Sequence, residues 1–338
     1  MDEPFQKIPF PSPKYYPDFF PEICYRFLTL TPIKTPAPLH QPAVTPAATG
    51  TPPLAWFILI LLSLIWGTSF ILIKKGLEVY TPDELGALRI TIACLCLLPF
   101  AVKSFAQIPQ RYWFWILVSG FIGNLIPAFL FAFAETELAS GLAGVLNSLT
   151  ALFTLIIGAI FFRQRITILR IAGIIIGIVG TAVLIFMGGN AEASGSAFHG
   201  FLVVLATVMY GGSLNIIKHK LAGLNALAMA SLALLCVGPF AFAYLFTTPV
   251  FSKIATAPGA YEALGYIALL AAFSTAIGLV LYNKLIHMTT TLFASSATYL
   301  MPIVALFWGI LDNETIHLFH YIGMVIILAG VFIVNRAR

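Results

Sequence analysis

The chain has 338 residues, of which 60% are hydrophobic and only 9% charged, with a formal net charge of +5. A soluble domain carries about 25% charged residues, so a water-soluble core is excluded and lipid is the expected solvent. The positive balance does not point to nucleic acid, because in a membrane chain the place of each charge matters more than the sum.

Residues 1–53 hold thirteen of the 21 prolines. Each proline fixes φ and removes a backbone donor, so neither helix nor sheet propagates there. A Pro-rich cytosolic tail without order is expected. A basic stretch followed by a short apolar run is missing, so this is not a secretory signal. A docking segment built on Tyr15-Tyr16, Phe19-Phe20 and Tyr25 is the alternative reading. From Leu54 onward ten apolar runs follow, at about 54–74, 84–103, 112–134, 138–162, 168–188, 198–217, 225–246, 260–283, 291–311 and 317–335. Each is near the ~17–25 residues that cross a hydrocarbon core. In lipid every backbone N–H must be paired within its own segment, so the runs are predicted to be helices. The fold class expected is therefore all-α integral membrane, with ten transmembrane helices. Cys24, Cys94, Cys96 and Cys236 show no metal-ligand spacing and read as small apolar fillers.

The charges set an orientation. With the N-terminus cytosolic, the cytosolic side holds Lys103, Arg111, Arg163, Arg165, Arg170, Lys218, Lys220, Lys284, Arg336 and Arg338, and the other side only Lys74, Lys75 and Lys253. Ten against three is a positive-inside bias, so both termini are expected inside. All nine carboxylates after the tail (Glu78, Asp83, Glu84, Glu135, Glu137, Glu192, Glu262, Asp312, Glu314) fall on the outer side.

A repeat recurs about 150 residues along the chain. Trp66-Gly67-Thr68-Ser69 with Lys74 returns as Tyr210-Gly211-Gly212-Ser213 with Lys218, while Gln164, Gly173 and Gly180 return as Glu314, Gly323 and Gly330. Two copies of an odd number of spans point opposite ways across a bilayer, an architecture of secondary transporters. The expected organisation is a tail at 1–53, a first repeat at 54–190 (spans one to five) and a second at 198–335 (spans six to ten), in inverted orientation.

These motifs supply the candidate residues. Trp66, Ser69, Tyr210 and Ser213 either line a pathway, with an aromatic closing over the ligand, or pack helices. Lys74 and Lys218 either snorkel to the interface or act as cationic gates near opposite faces. Arg89 reads as a structural partner of Glu84 or Glu78, with substrate contact as the alternative. Asn147, Asn215 and Tyr299, together with Asn124, Ser148, Thr150, Ser295, Ser296 and Thr298, are polar groups inside spans that need partners or a wet cavity. Among carboxylates only Glu135 is placed to carry a proton, which favours facilitated diffusion or exchange over tight proton coupling. Glu314, His317 and His320 recur with a helical step but lack a fourth ligand, so an interfacial cap is expected and no metal site. The glycines at 173, 177, 180, 323 and 330 are expected to let spans five and ten pack closely.

Ser63 to Phe70 (SLIWGTSF) followed by Leu85-Gly86-Ala87-Leu88-Arg89 resembles the opening of an EamA-type repeat of the drug/metabolite transporter superfamily. Ala139-Ser140 through Thr167, then Gly173, Gly177 and Gly180, resembles its close. The second copy is plainer, with Leu281-Tyr282-Asn283-Lys284, Ala294-Ser295-Ser296, Tyr299-Leu300-Met301-Pro302 and Glu314. The resemblance covers about 54–335 and rests on the order and doubling of the motifs. Ala151 stands where the first repeat usually has Pro, Gln164 where Glu is common, and Pro302 to Glu314 is one residue short. The resemblance implies two inverted five-helix bundles around a central cavity, outward transport of small metabolites or amino acids, and a bacterial inner membrane. The expected partners are a small-molecule substrate and the bilayer, with no cofactor. A sugar-phosphate or nucleotide-sugar exchanger of the same superfamily is the alternative; its cargo would want more buried Lys or Arg. A passive channel is another. An integral-membrane enzyme would need a nucleophile, metal set or paired carboxylates facing one cavity, and the sequence shows none.

Overall fold

The computed structural model describes residues 52–164, 166–187, 194–289, 293–294, 296–314 and 318–336. The Pro-rich tail, His317 and the side chain of Tyr299 lie outside the described residues. Among the described residues every regular element is helical and none is a strand.

Among the described residues eight helices are long and apolar enough to cross a membrane: α1 Pro53–Leu77, α2 Pro82–Phe105, α3 Gln110–Ala134, α4 Ser140–Phe162, α5 Ile168–Phe186, α6 Ala197–Lys220, α7 Ala226–Leu245 and, after a short α8 (Val250–Thr256), α9 Ala260–Met288. Two further helices, α10 Ala297–Leu311 and α11 Leu318–Arg336, contain shorter apolar stretches at Leu300–Leu311 and Leu318–Val334. The ten sequence runs thus each meet a helix, eight of them of full spanning length.

Local chemistry explains the ends. Pro53 and Pro82 open α1 and α2 at positions whose N–H would be unpaired anyway. Thr81 and Glu84 form a capping box, the Thr81 N–H donating to Glu84 Oε2 at 2.9 Å. Asn225 caps α7 by accepting from Ala228 N at 2.9 Å. The exposed side chains are those lipid should face. Along α5, Ile168, Leu169, Ile171, Ile175, Ile178 and Val179 all point outward, an apolar stripe that water would not tolerate.

The packing has a pattern. Helix α2 lies on α7, and α5 on α11; α1 contacts α10 and α9, while α6 contacts α4 and α3. Glycines set the closest approaches, as the spacing in α5 and α11 implies. A Cβ on Gly330 would stand 2.6 Å from the Gly173 carbonyl oxygen, and one on Gly180 2.6 Å from the Ile327 nitrogen. The repeated motif glycines play matching parts. A Cβ on Gly67 would meet Val304 and the Met301 carbonyl of α10, and one on Gly211 would meet the Phe153–Thr154 backbone of α4. Small residues at these crossings let the dispersion contacts form that drive association in lipid.

Candidate functional site

Among the described residues three long helices carry π-helical turns, Val183–Met187 at the end of α5 and, next to the cavity, Phe121–Leu125 in α3 and Leu270–Ile277 in α9. The turn in α3 has a covalent cause. Pro127 has no N–H to offer the Gly123 carbonyl, and Ile126 N–H reaches back to Phe121 instead. In α9, Gly278 N–H bonds the carbonyls of Phe273 and Thr275 and skips Ser274. The freed Ser274 carbonyl accepts the indole N–H of Trp66 at 2.8 Å. A Cβ at Gly278 would sit 2.7 Å from that indole nitrogen, so the glycine makes room for it. Trp66 is further held edge-on by Tyr282 at 4.8 Å between centroids.

The turns in α3 and α9 help to enclose that cavity, of about 130 Å³. That exceeds what one water needs and falls below the roughly 300–1,000 Å³ of drug-sized pockets. Its polar wall includes Trp66, Ser69, Arg89, Ser119, Asn124, Asn147, Tyr210, Ser213, Ser274, Thr275, Tyr282 and Asn283. Ser213 and Ser119 share a hydrogen bond at 2.9 Å across α6 and α3. Tyr210 stacks on Phe131 with centroids 6.0 Å apart. Asn147 donates to the Met301 sulfur at 3.7 Å, and its amide oxygen has no partner.

Of the residues singled out from sequence, Trp66, Ser69, Asn124, Asn147, Thr150, Tyr210, Ser213 and Thr298 come together on this wall. Lys74, Asn215 and Lys218 do not belong to it. Asn215 is bonded within the protein: its amide donates to the carbonyls of Thr154 (2.9 Å) and Gly211 (2.8 Å), and its oxygen accepts from Gln164 at 3.3 Å. The reading of Arg89 as a partner of Glu84 or Glu78 is corrected. Glu84 pairs with Lys253 at 2.7 Å and Glu78 with Lys75 at 2.8 Å. Arg89 instead turns to the cavity, where its Nε donates to Thr275 at 2.9 Å. Lys75 also pairs with Asp312 at 2.8 Å, so it is bound rather than merely solvated.

Lys74 closes one end of the bundle. Its ammonium lies 2.6 Å from Glu314 Oε1 and 3.7 Å from Asp312. Glu314 also accepts from the Ser140 and Gly141 backbone N–H groups, at 3.0 and 3.3 Å, at the start of α4. A helix N-terminus favours an anion. Burial pushes the Glu314 carboxyl up, but the hydrogen bonds from Lys74, Ser140 and Gly141 outweigh it and hold the group below the usual carboxylate range. One carboxylate thus ties α1, α4 and the α10–α11 turn together. Glu135, just past α3, is buried with neither oxygen hydrogen-bonded. It lies within the electrostatic reach of Glu314, Arg89 and Lys74. Among the described residues no group of three or more His, Cys, Asp or Glu could hold a metal.

The sequence reading missed Ser119, Ser274 and Thr275 as cavity residues, and set Arg89 aside. A lone arginine within an apolar run was the available signal for the last.

An all-helical apolar bundle with a small cavity that carries polar groups on its wall, and with an ion-bonded end, is the build of a multi-pass membrane carrier. The chain belongs to the EamA-like transporter family, whose model matches residues 54–186 and again 198–336. Among its relatives, an "Uncharacterized transporter" of Archaeoglobus fulgidus is 28% identical over 84% of this chain and 99% of that protein. A "Probable terminal-alkyne amino-acid exporter" of Streptantibioticus cattleyicolor is 28% identical over 83% and 93%. A "Probable amino-acid metabolite efflux pump" of Salmonella typhimurium is 27% identical over 82% and 93%. The chain is therefore a multi-pass membrane transporter of a small molecule and not an enzyme.

Proposed function

We propose that the protein exports amino acids or closely related metabolites from the cytosol of a bacterial cell by alternating access. In this reading ten spans form two inverted five-helix repeats, 54–190 and 198–335, with both termini inside. The observation that carries it is the cavity wall. Trp66 and Ser69 of α1 are matched by Tyr210 and Ser213 of α6, and a π turn in α3 by one in α9. The helix pairings support the same two-fold. Exchanging each of the first five spans for its counterpart turns the α1–α10 contact into α6–α4 and leaves α2–α7 and α5–α11 in place. Two names among the relatives support amino acids as cargo.

The pathway runs past Trp66, Ser69, Asn147, Tyr210, Ser213 and Tyr299, with Lys74 and Glu314 as the gate at the outer end. Lys218 stands at the corresponding place near the inner end. Glu135, buried with neither oxygen hydrogen-bonded, is the proton carrier if transport is coupled. The test is an untargeted comparison of metabolites inside and outside cells with the protein induced and absent. One or more amino acids should rise outside and fall inside only with the protein. A protein that shows neither this change nor saturable amino-acid counterflow in proteoliposomes does not have this function.

A further inference from the structure

Arg89 is the one charged residue on the cavity wall among the described residues. Its only hydrogen bond uses Nε, donated to Thr275. Among the described residues no carboxylate forms an ion pair with it; Glu78 and Glu84 are taken by lysines. The two Nη groups, a planar fork of donors, therefore have no protein acceptor among the described residues, and the side chain belongs to the cavity wall. A guanidinium is always protonated and matches a carboxylate with two parallel hydrogen bonds. A charge held at bilayer depth is costly unless something answers it. One positive charge is answered by one negative charge. A phosphate dianion would call for a second cation, and the wall supplies none among the described residues.

We infer that Arg89 anchors the cargo by its carboxylate, which makes a small monocarboxylate, zwitterionic amino acids included, the chemical class this cavity takes. The inference rests on the export reading above and assigns the residue that recognises the substrate. Asn147 and Asn283 add uncharged polar side chains to the same wall. Arg89→Lys keeps the charge but loses the fork, and Arg89→Gln loses both.

The experiment uses the full chain in proteoliposomes loaded with an equimolar mixture: L-leucine, L-phenylalanine, their decarboxylated amines isoamylamine and phenethylamine, and glycerol 3-phosphate. Efflux is read by mass spectrometry against protein-free vesicles. The two amino acids should leave in a protein-dependent way while the amines and the phosphate stay at background. Arg89→Gln should slow amino-acid efflux at least tenfold with the melting temperature of the purified protein kept, and Arg89→Lys should retain part of it. A purely structural arginine would change melting and leave the preference of acid over amine intact. Amines leaving as fast as the acids, or Arg89→Gln carrying acids at the wild-type rate, would overturn the inference while transport itself stands. Preferred efflux of glycerol 3-phosphate would replace carboxylate by phosphate. If no compound leaves in a protein-dependent way, the amino-acid reading falls and this inference with it.

Discussion

Lys74→Ala is the sharpest test of the gate. The ammonium and the Glu314 carboxylate are 2.6 Å apart, with the Glu314 side chain 1% exposed and that of Lys74 34%. Breaking a fully buried pair costs about 3–5 kcal/mol, and an exposed pair is worth about 0–1. This half-buried pair falls between, at about 1–3 kcal/mol, which corresponds to a roughly 5- to 150-fold change in an equilibrium. Ser140 and Gly141 still hold Glu314 in the variant, so the fold should survive while the closed state loses that much. The assay places one cysteine at Ser69, on the cavity wall, in a chain whose own four cysteines are replaced. A membrane-impermeant maleimide is added from the Glu314 end. Labelling should speed up at least fivefold in Lys74→Ala, and transport should fall at equal amounts of folded protein. Glu314→Gln should do the same more mildly, because its amide oxygen can still accept one backbone N–H. Unchanged labelling and unchanged uptake kinetics in both variants would refute the gate.

Other variants probe other parts. Gly330→Ala puts a methyl 2.5 Å from the Gly177 nitrogen and 2.6 Å from the Gly173 oxygen. Overpacking of this kind costs about 1–3 kcal/mol, so the melting temperature in detergent should drop with little change in substrate preference. Asn215→Ala removes donors to two backbone carbonyls; a loss of about 1–3 kcal/mol is expected, again seen in melting and not in which compounds move. Trp66→Phe removes the donor to the Ser274 carbonyl, and Michaelis constants for efflux should rise with the protein still folded. Glu135→Gln should keep counterflow and lose any stimulation by an imposed pH gradient; stimulation that survives the change removes Glu135 from proton coupling.

Much of the fold was legible because lipid makes the code simple. Apolar runs of spanning length can only be helices there, and the doubled Trp66–Ser69 and Tyr210–Ser213 motifs brought both halves of the cavity wall into view. The glycines of α5 and α11 announced their contact by spacing alone. What stayed hidden depends on three dimensions. Lys74 and Glu314 are 240 residues apart, and neither shows its partner in sequence. Glu135 follows a span closely, and nothing in its sequence neighbourhood shows that it is buried without a hydrogen bond. Arg89 had two nearby acids as candidates, and only the fold shows that Lys253 and Lys75 claim them. The π turn of α9 carries no proline to betray it, and the tryptophan that binds its Ser274 carbonyl comes from another helix.

The two ends of the bundle are built from corresponding residues with unequal chemistry, and the inequality has a direction. At one end the Glu314 carboxylate sits over Gly309, where a Cβ would stand 2.6 Å away, and binds Lys74. At the other end Gln164 sits over Gly158, with its oxygen 2.7 Å from a Cβ there, and meets Asn215 at 3.3 Å and His219 at 3.0 Å. Same scaffold, different bonds. Two perfectly matched inverted repeats would make the two closed states equal in energy. An ionic closure with charge-assisted bonds is roughly twice as strong per bond as a neutral amide contact. The Glu314 end is therefore the harder one to open, and the empty carrier should rest with that end shut. Gln164→Glu removes part of the difference by restoring the carboxylate. With the Ser69→Cys reporter, labelling from the Glu314 end should then rise even though the substitution lies at the other end of the molecule. A labelling rate indifferent to Gln164→Glu would mean that the two closures are not in balance with each other, and alternating access by matched halves would lose its main support.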